Sequence, residues 1–182
     1  MKDEKKTEHA HKEHINRYKM AHMIGVAEYM RERAEDYALD PDTCYTIGLL
    51  HDIGYLQGRN LHERKGSELL ELSLGVTNAD VLQAVKYHGN KASYVELIQN
   101  ETVSPLLVLT WEADLSVDAK GYRVGFEKRL EDIQNRLKGT EYYDNAVETV
   151  TENVEYIKKW QAEHGVPRPS KGFFHRYSKE RE

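Results

Sequence analysis

One cysteine is all that the 182 residues contain. Cys44 therefore has no partner for an intrachain disulfide, which fits a reducing compartment. Long apolar runs are missing as well, and none approaches the roughly 18 residues that a membrane-spanning helix requires. The opening residues, MKDEKKTEHAHKEH, are charged and lack the apolar stretch of a secretory signal. A basic surplus is lacking too. Lys and Arg total 26 against 31 Asp and Glu, for a formal net charge of −5, so the chain carries no general nucleic-acid footprint. There is no glycine-rich phosphate loop or dinucleotide fingerprint, no internal repeat and no alternating strand pattern. These absences leave a soluble, mildly acidic protein of one domain, large enough for a substantial core and expected in the cytoplasm, away from membranes and nucleic acid.

What is present is helical periodicity. Residues 1–13 read as a flexible, solvated tail, with His9, His11 and His14 in or beside it and nothing apolar to anchor them. A single helical domain is expected over 14–164 and an arm over 165–182. Ile15, Tyr18, His22, Gly25, Val26 and Tyr29 recur at spacings of three and four and predict a first helix over about 15–36. Asp40-Pro41 supplies a cap and a first-turn proline for a second helix. Its inward stripe is Cys44, Ile47, Gly48 and His51, and Gly54 reads as its terminator. A third helix starts near His62, with Gly66, Leu69, Leu70 and Ser73 on its face and Gly75 at its end. Asn78 caps a short fourth helix that ends at Tyr87-His88-Gly89. Ser104-Pro105 opens a fifth, LLVLTWEADLS, which is apolar on most sides and so expected at the centre. A sixth (Phe126, Leu130, Ile133, Leu137) and a seventh (Tyr143, Val147, Val150, Val154, Ile157) read as a packed hairpin. Whether that hairpin also forms a homodimer is left open by the pattern. The arm has two prolines, many basic residues and Phe173-Phe174 as its docking pair. The fold class is all-α.

Several inward positions carry residues that are costly to bury unpaired. His22 lies mid-helix, and His51-Asp52 follow two leucines in GLLHDIGY. His62 begins a helix, His88 ends one, and Asp114 lies late in the most apolar helix. A lone inward histidine is more often a hydrogen-bonded core group than a ligand, and Asp114 alone could pair with Arg17 or Lys120. Taken together, imidazoles and carboxylates suit a divalent ion such as zinc, iron or manganese. His22, His51, Asp52 and Asp114 would make a four-ligand set with open positions for water and substrate.

The order His22, His51-Asp52, Asp114, carried by RYKMAHMIGVAEYM, GLLHDIGY and WEADLSVD, resembles the HD-domain superfamily of metal-dependent phosphohydrolases. Two further segments, LHERKGSELL and AVKYHGNK, resemble those of its multi-histidine members, among them the bacterial symmetrical diadenosine tetraphosphate hydrolases. The resemblance implies a helical bundle with two divalent ions, iron or manganese foremost, with zinc, magnesium, cobalt or nickel as alternatives. One ion would be held by His22, His51, Asp52 and Asp114, and the other by His62, His88 and a bridging Asp52. The chain departs from that subgroup after His88, where Gly89-Asn90-Lys91-Ala92-Ser93 replaces a threonine-rich segment, and after Asp114, where Leu115-Ser116-Val117-Asp118 follows.

The expected reaction is hydrolysis of a phosphate ester or phosphoanhydride, of a nucleotide or dinucleoside polyphosphate, by metal-activated water. Asp52 would orient the nucleophile and Lys91 would clamp a phosphate, with Arg59, Arg64 and Lys65 as weaker candidates. A di-iron oxygenase uses the same ligand types, and a ligand-sensing module without turnover is a third reading. Cys44, inward and far from basic residues, reads as a small core hydrophobe. Tyr55, Tyr87, Tyr94 and Trp111 read first as packing residues and second as platforms for a base.

Overall fold

The computed structural model describes residues 19–58, 61–89, 97 and 102–175. Every regular element among them is helical, apart from one isolated bridge between Val117 and Arg123. The first helix, α1, is described over 19–33 and tightens into a 3-10 turn, Ala34–Tyr37. Then follow α2 (Pro41–Leu50), a second 3-10 turn (Ile53–Gln57), α3 (His62–Leu74), α4 (Ala79–Lys86), α5 (Pro105–Asp114), α6 (Gly125–Leu137), α7 (Tyr143–His164) and the short α8 (Lys171–His175). No helix among the described residues is long and apolar enough to cross a membrane.

Three helix starts are fixed by side-chain caps that satisfy otherwise unpaired amides. Asp40 accepts from Thr43 N at 2.7 Å, Asn78 from Asp80 N at 3.0 Å, and Ser104 Oγ from Leu107 N at 3.2 Å. α5 is the axis of the fold: every residue from Leu106 to Ala113 is buried, and α2, α4, α7 and the first 3-10 turn pack around it. α6 and α7 pair as a hairpin, and α7 closes onto α5.

Two sequence expectations need correction. Gly54 does not terminate α2, which ends at Leu50 with His51 as its C-cap. Gly54 sits inside the second 3-10 turn, where a Cβ would lie 2.6 Å from Gly66 N and 2.7 Å from the His62 carbonyl carbon. Its function is close approach to α3. The inward face of α3 also differs: Glu63, Gly66, Ser67 and Leu70 are buried, and Ser73 is exposed.

A buried polar network joins α1 to the rest. Arg33 pairs with Asp36 and donates to Glu112 Oε1 at 3.4 Å and to Pro167 O at 2.7 Å. Tyr37 donates to Glu112 Oε2 at 2.7 Å and accepts from Gln161 Nε2 at 2.7 Å. Burial pushes the Glu112 carboxyl up, against the opposing pull of Arg33. At the arm, Phe173 meets the Tyr29 ring edge-on at 5.0 Å, and the Arg123 guanidinium lies 4.3 Å from the Phe173 ring centre.

Candidate metal centre

The inward histidines are positioned by helix ends. His51 caps α2, and its Nδ1 lies 2.8 Å from Gly48 O. His88 lies just past α4, with Nδ1 2.7 Å from Val85 O. His22 belongs to α1, with Nδ1 3.0 Å from Asp118 O. A neutral imidazole has a single N–H, and donating it from Nδ1 to a carbonyl leaves the Nε2 lone pair for a ligand. Three carbonyl tethers thus turn three Nε2 atoms to the same interior.

The carboxylates lie among these nitrogens. Asp114, from the end of α5, has Oδ1 2.8 Å from His22 Nε2 and 4.0 Å from His51 Nε2. Asp52 has Oδ1 3.2 Å from His88 Nε2 and 3.3 Å from His62 Nε2, and its Oδ2 is 3.7 Å from His51 Nε2. Two ligand-like triads result, His22-His51-Asp114 and His51-Asp52-His88, each with its donor atoms within 4.8 Å of one another. His51 belongs to both. His62, at the start of α3, reaches the cluster through Asp52, and its Nδ1 lies 3.3 Å from Glu63 Oε2.

The electrostatics match a cation site. Burial drives the His51 ring down to about 4, so it is neutral at ordinary pH. For Asp52, burial raises the carboxyl, but His51, His62 and His88 outweigh it and hold it well below its usual range. Asp114 is likewise raised by burial and lowered further by His22 and His51. His88 is lowered by burial, and Asp52 reverses this to a net rise. His51 Nε2 is fully buried without a hydrogen-bond partner among the described residues. A buried lone pair in that state is costly. Facing two carboxylates, it fits a divalent ion of the nitrogen- and oxygen-loving kind.

Sequence reasoning missed two residues here. Lys19, on α1, places Nζ 3.3 Å from Asp52 Oδ2 and 2.9 Å from the Tyr55 ring centre. Glu63 is buried beside His62. Its only sequence signal is adjacency to a histidine, and that of Lys19 is its place one turn before His22. Of the other candidates, Lys91, Arg59 and Tyr94 lie outside the described residues. Arg64 pairs with Glu68 at 2.9 Å, and Lys65 donates to Gln57 O at 3.1 Å. Trp111 is in the core, donating to Tyr87 O at 2.9 Å. Cys44 is buried, and burial pushes its thiol up to about 12.

Comparison with known proteins adds one finding. A family model described as HD domain matches residues 20–114, which run from α1 to the end of α5 and include every inward histidine and carboxylate above. No curated protein and no solved structure matches the chain.

Proposed function

The chain belongs to the HD-domain family, a family of metal-dependent phosphohydrolases, and from that premise we propose that it hydrolyses a phosphate ester or phosphoanhydride of a nucleotide or dinucleoside polyphosphate. The observation that carries this reading is the convergence of three carbonyl-tethered imidazoles on Asp52 and Asp114, with His51 Nε2 orphaned between the two triads. His22, His51, Asp52 and Asp114 would hold one divalent ion. Asp52, His88 and His62 would hold a second, with iron or manganese the best suited. Bound there, such ions supply Lewis acidity and a hydroxide from water near neutral pH.

The protein's own groups supply the rest. Asp52 orients the attacking water, because its two oxygens face different partners, His62 and His88 on one side and Lys19 on the other. The Lys19 side chain is 31% exposed, so its ammonium can meet a phosphate oxygen arriving from solvent. Lys91 is proposed as a second clamp. Tyr55 lies against both Lys19 and His62, with ring centres 3.9 Å apart in the second case.

The test uses the full chain, purified without added metal, assayed for bound metal, and reloaded with Mn(II) or Fe(II). Phosphate release is then followed from nucleoside monophosphates, cyclic dinucleotides and dinucleoside polyphosphates. At least one class should be cleaved, and Asp52→Asn should lower kcat/KM by at least about a hundredfold. If the loaded protein cleaves none of them, or consumes oxygen instead, the reading is wrong.

A further inference from the structure

A cavity of about 680 Å³ opens between the Ser116–Val124 connection, α6, α7 and the arm, and none of the inward histidines, Asp52 or Asp114 lines it. Its polarity is sharply divided. Inside lie the Glu112 carboxylate, the Gln161 amide, the Tyr29 hydroxyl and the Arg123 guanidinium, the last paired with Glu32, all from buried residues. The Tyr29 hydroxyl lies beside Glu112 and Ser116. Around the opening stand Lys128, Lys158, Arg168 and Lys171, all exposed, from α6, α7, the arm and α8, with the exposed Glu127 beside them, so that cations outnumber acid there. None of the four forms an ion pair with a carboxylate among the described residues. Phe126 and Phe174 form apolar walls between the two ends.

Each end restricts the ligand. Four cations from four segments around one opening repel one another and are relieved by an anion. Phosphate groups suit them, because several charge-assisted hydrogen bonds can form at once. Inside, Glu112 already accepts from Arg33 and Tyr37, and its remaining lone pairs with the Tyr29 hydroxyl suit a neutral group that offers N–H donors. Aromatic walls suit a flat ring between these ends. The volume falls in the usual range for small-molecule sites, about 300–1,000 Å³. We infer that this cavity is a second, non-catalytic site that binds a nucleotide, with an amino-bearing base inside and its phosphates on the rim.

The site also touches the metal centre. Asp118 lines the cavity, and its carbonyl is the one that tethers His22. A nucleotide bound there would bear on the connection that orients His22.

The experiment is calorimetric titration of the full chain in EDTA with ATP, GTP and inorganic tripolyphosphate. The chelator removes any metal-mediated phosphate binding, so hydrolysis at the metal centre and binding here succeed or fail separately. Saturable binding of one nucleotide per chain is expected. It should weaken at least about tenfold in Lys128→Glu/Lys158→Glu and depend steeply on salt. Asp114→Asn should change it less than about twofold, and tripolyphosphate should bind at least about tenfold more weakly than the nucleotide. Both lysines are exposed, and an unchanged melting curve confirms that the double variant folds. Absence of saturable binding, loss in Asp114→Asn with retention in the double variant, or tripolyphosphate binding as tight as nucleotide would each overturn the inference.

Discussion

Replacing Gly54 with alanine perturbs the metal centre without touching a ligand. The new Cβ would lie 2.6 Å from Gly66 N and 2.7 Å from the carbonyl carbon of His62. The His62 carbonyl oxygen lies nearer still. An ordinary contact is about 3.5 Å, so α3 and the turn must separate by at least about 0.9 Å. All three obstacles are backbone atoms, which rotamer changes cannot clear. The cost belongs at the upper end for overpacking, about 3 kcal/mol, or a fall in Tm of about 6–12 °C for a chain of this length. The same displacement carries His62 away from Asp52, from which its Nε2 is now 3.3 Å distant. Metal affinity at Asp52-His62-His88 should fall about 10–100-fold, while His22-His51-Asp114 keeps its ion. The assay is mass-spectrometric metal counting after dialysis, beside thermal melts with and without EDTA. Gly139→Ala is the control, because nothing lies within 4 Å of a Cβ there and only backbone strain is introduced. A Gly54→Ala protein with parental Tm and full metal content would refute the close-approach argument.

Two further predictions follow from burial and charge. In EDTA, stability should peak near pH 6.5. His51 is depressed from 6.5 to about 4 in the folded chain, so below pH 6.5 the unfolded chain binds the extra proton and about 3 kcal/mol is lost by pH 4. His88 is raised, so its contribution is full below 6.5 and is lost as pH climbs beyond. Urea unfolding across pH 4–8 would show the peak, and a monotonic profile would contradict it. Arg33→Gln should cost about 3–5 kcal/mol, since it leaves Glu112 buried without its cation. Denaturant midpoints measure this, and metal content should not change.

Much of the fold was legible because local rules and burial agree. Asp40, Asn78 and Ser104 cap where they stand, and the apolar run after Ser104 does occupy the centre. The order of His22, His51-Asp52 and Asp114 was visible as a departure from hydrophobic patterning and was strengthened by the family resemblance. What stayed hidden depends on backbone contact or on distance in the chain. The face of α3 is turned by Gly54 meeting Gly66 and His62, and glycine contacts carry no hydrophobic signature. Glu63 is buried beside Gly89, where a Cβ would come 3.0 Å from its Oε1. Lys19 reads as one more surface charge until α2 delivers Asp52, 33 positions later, beside it.

The tethers on His51 and His88 have a further meaning. Gly48 and Val85 are among the last carbonyls of α2 and α4, the ones a helix cannot satisfy from within itself. Each ligand ring therefore closes off the end of its own helix. Warming that loosens these ends would release the imidazoles first, and an ion gripping the opposite edge of each ring would hold the ends shut. Fraying and metal loss become one event, which makes hydrogen exchange at the last turns of α2 and α4 a thermometer for occupancy of the centre.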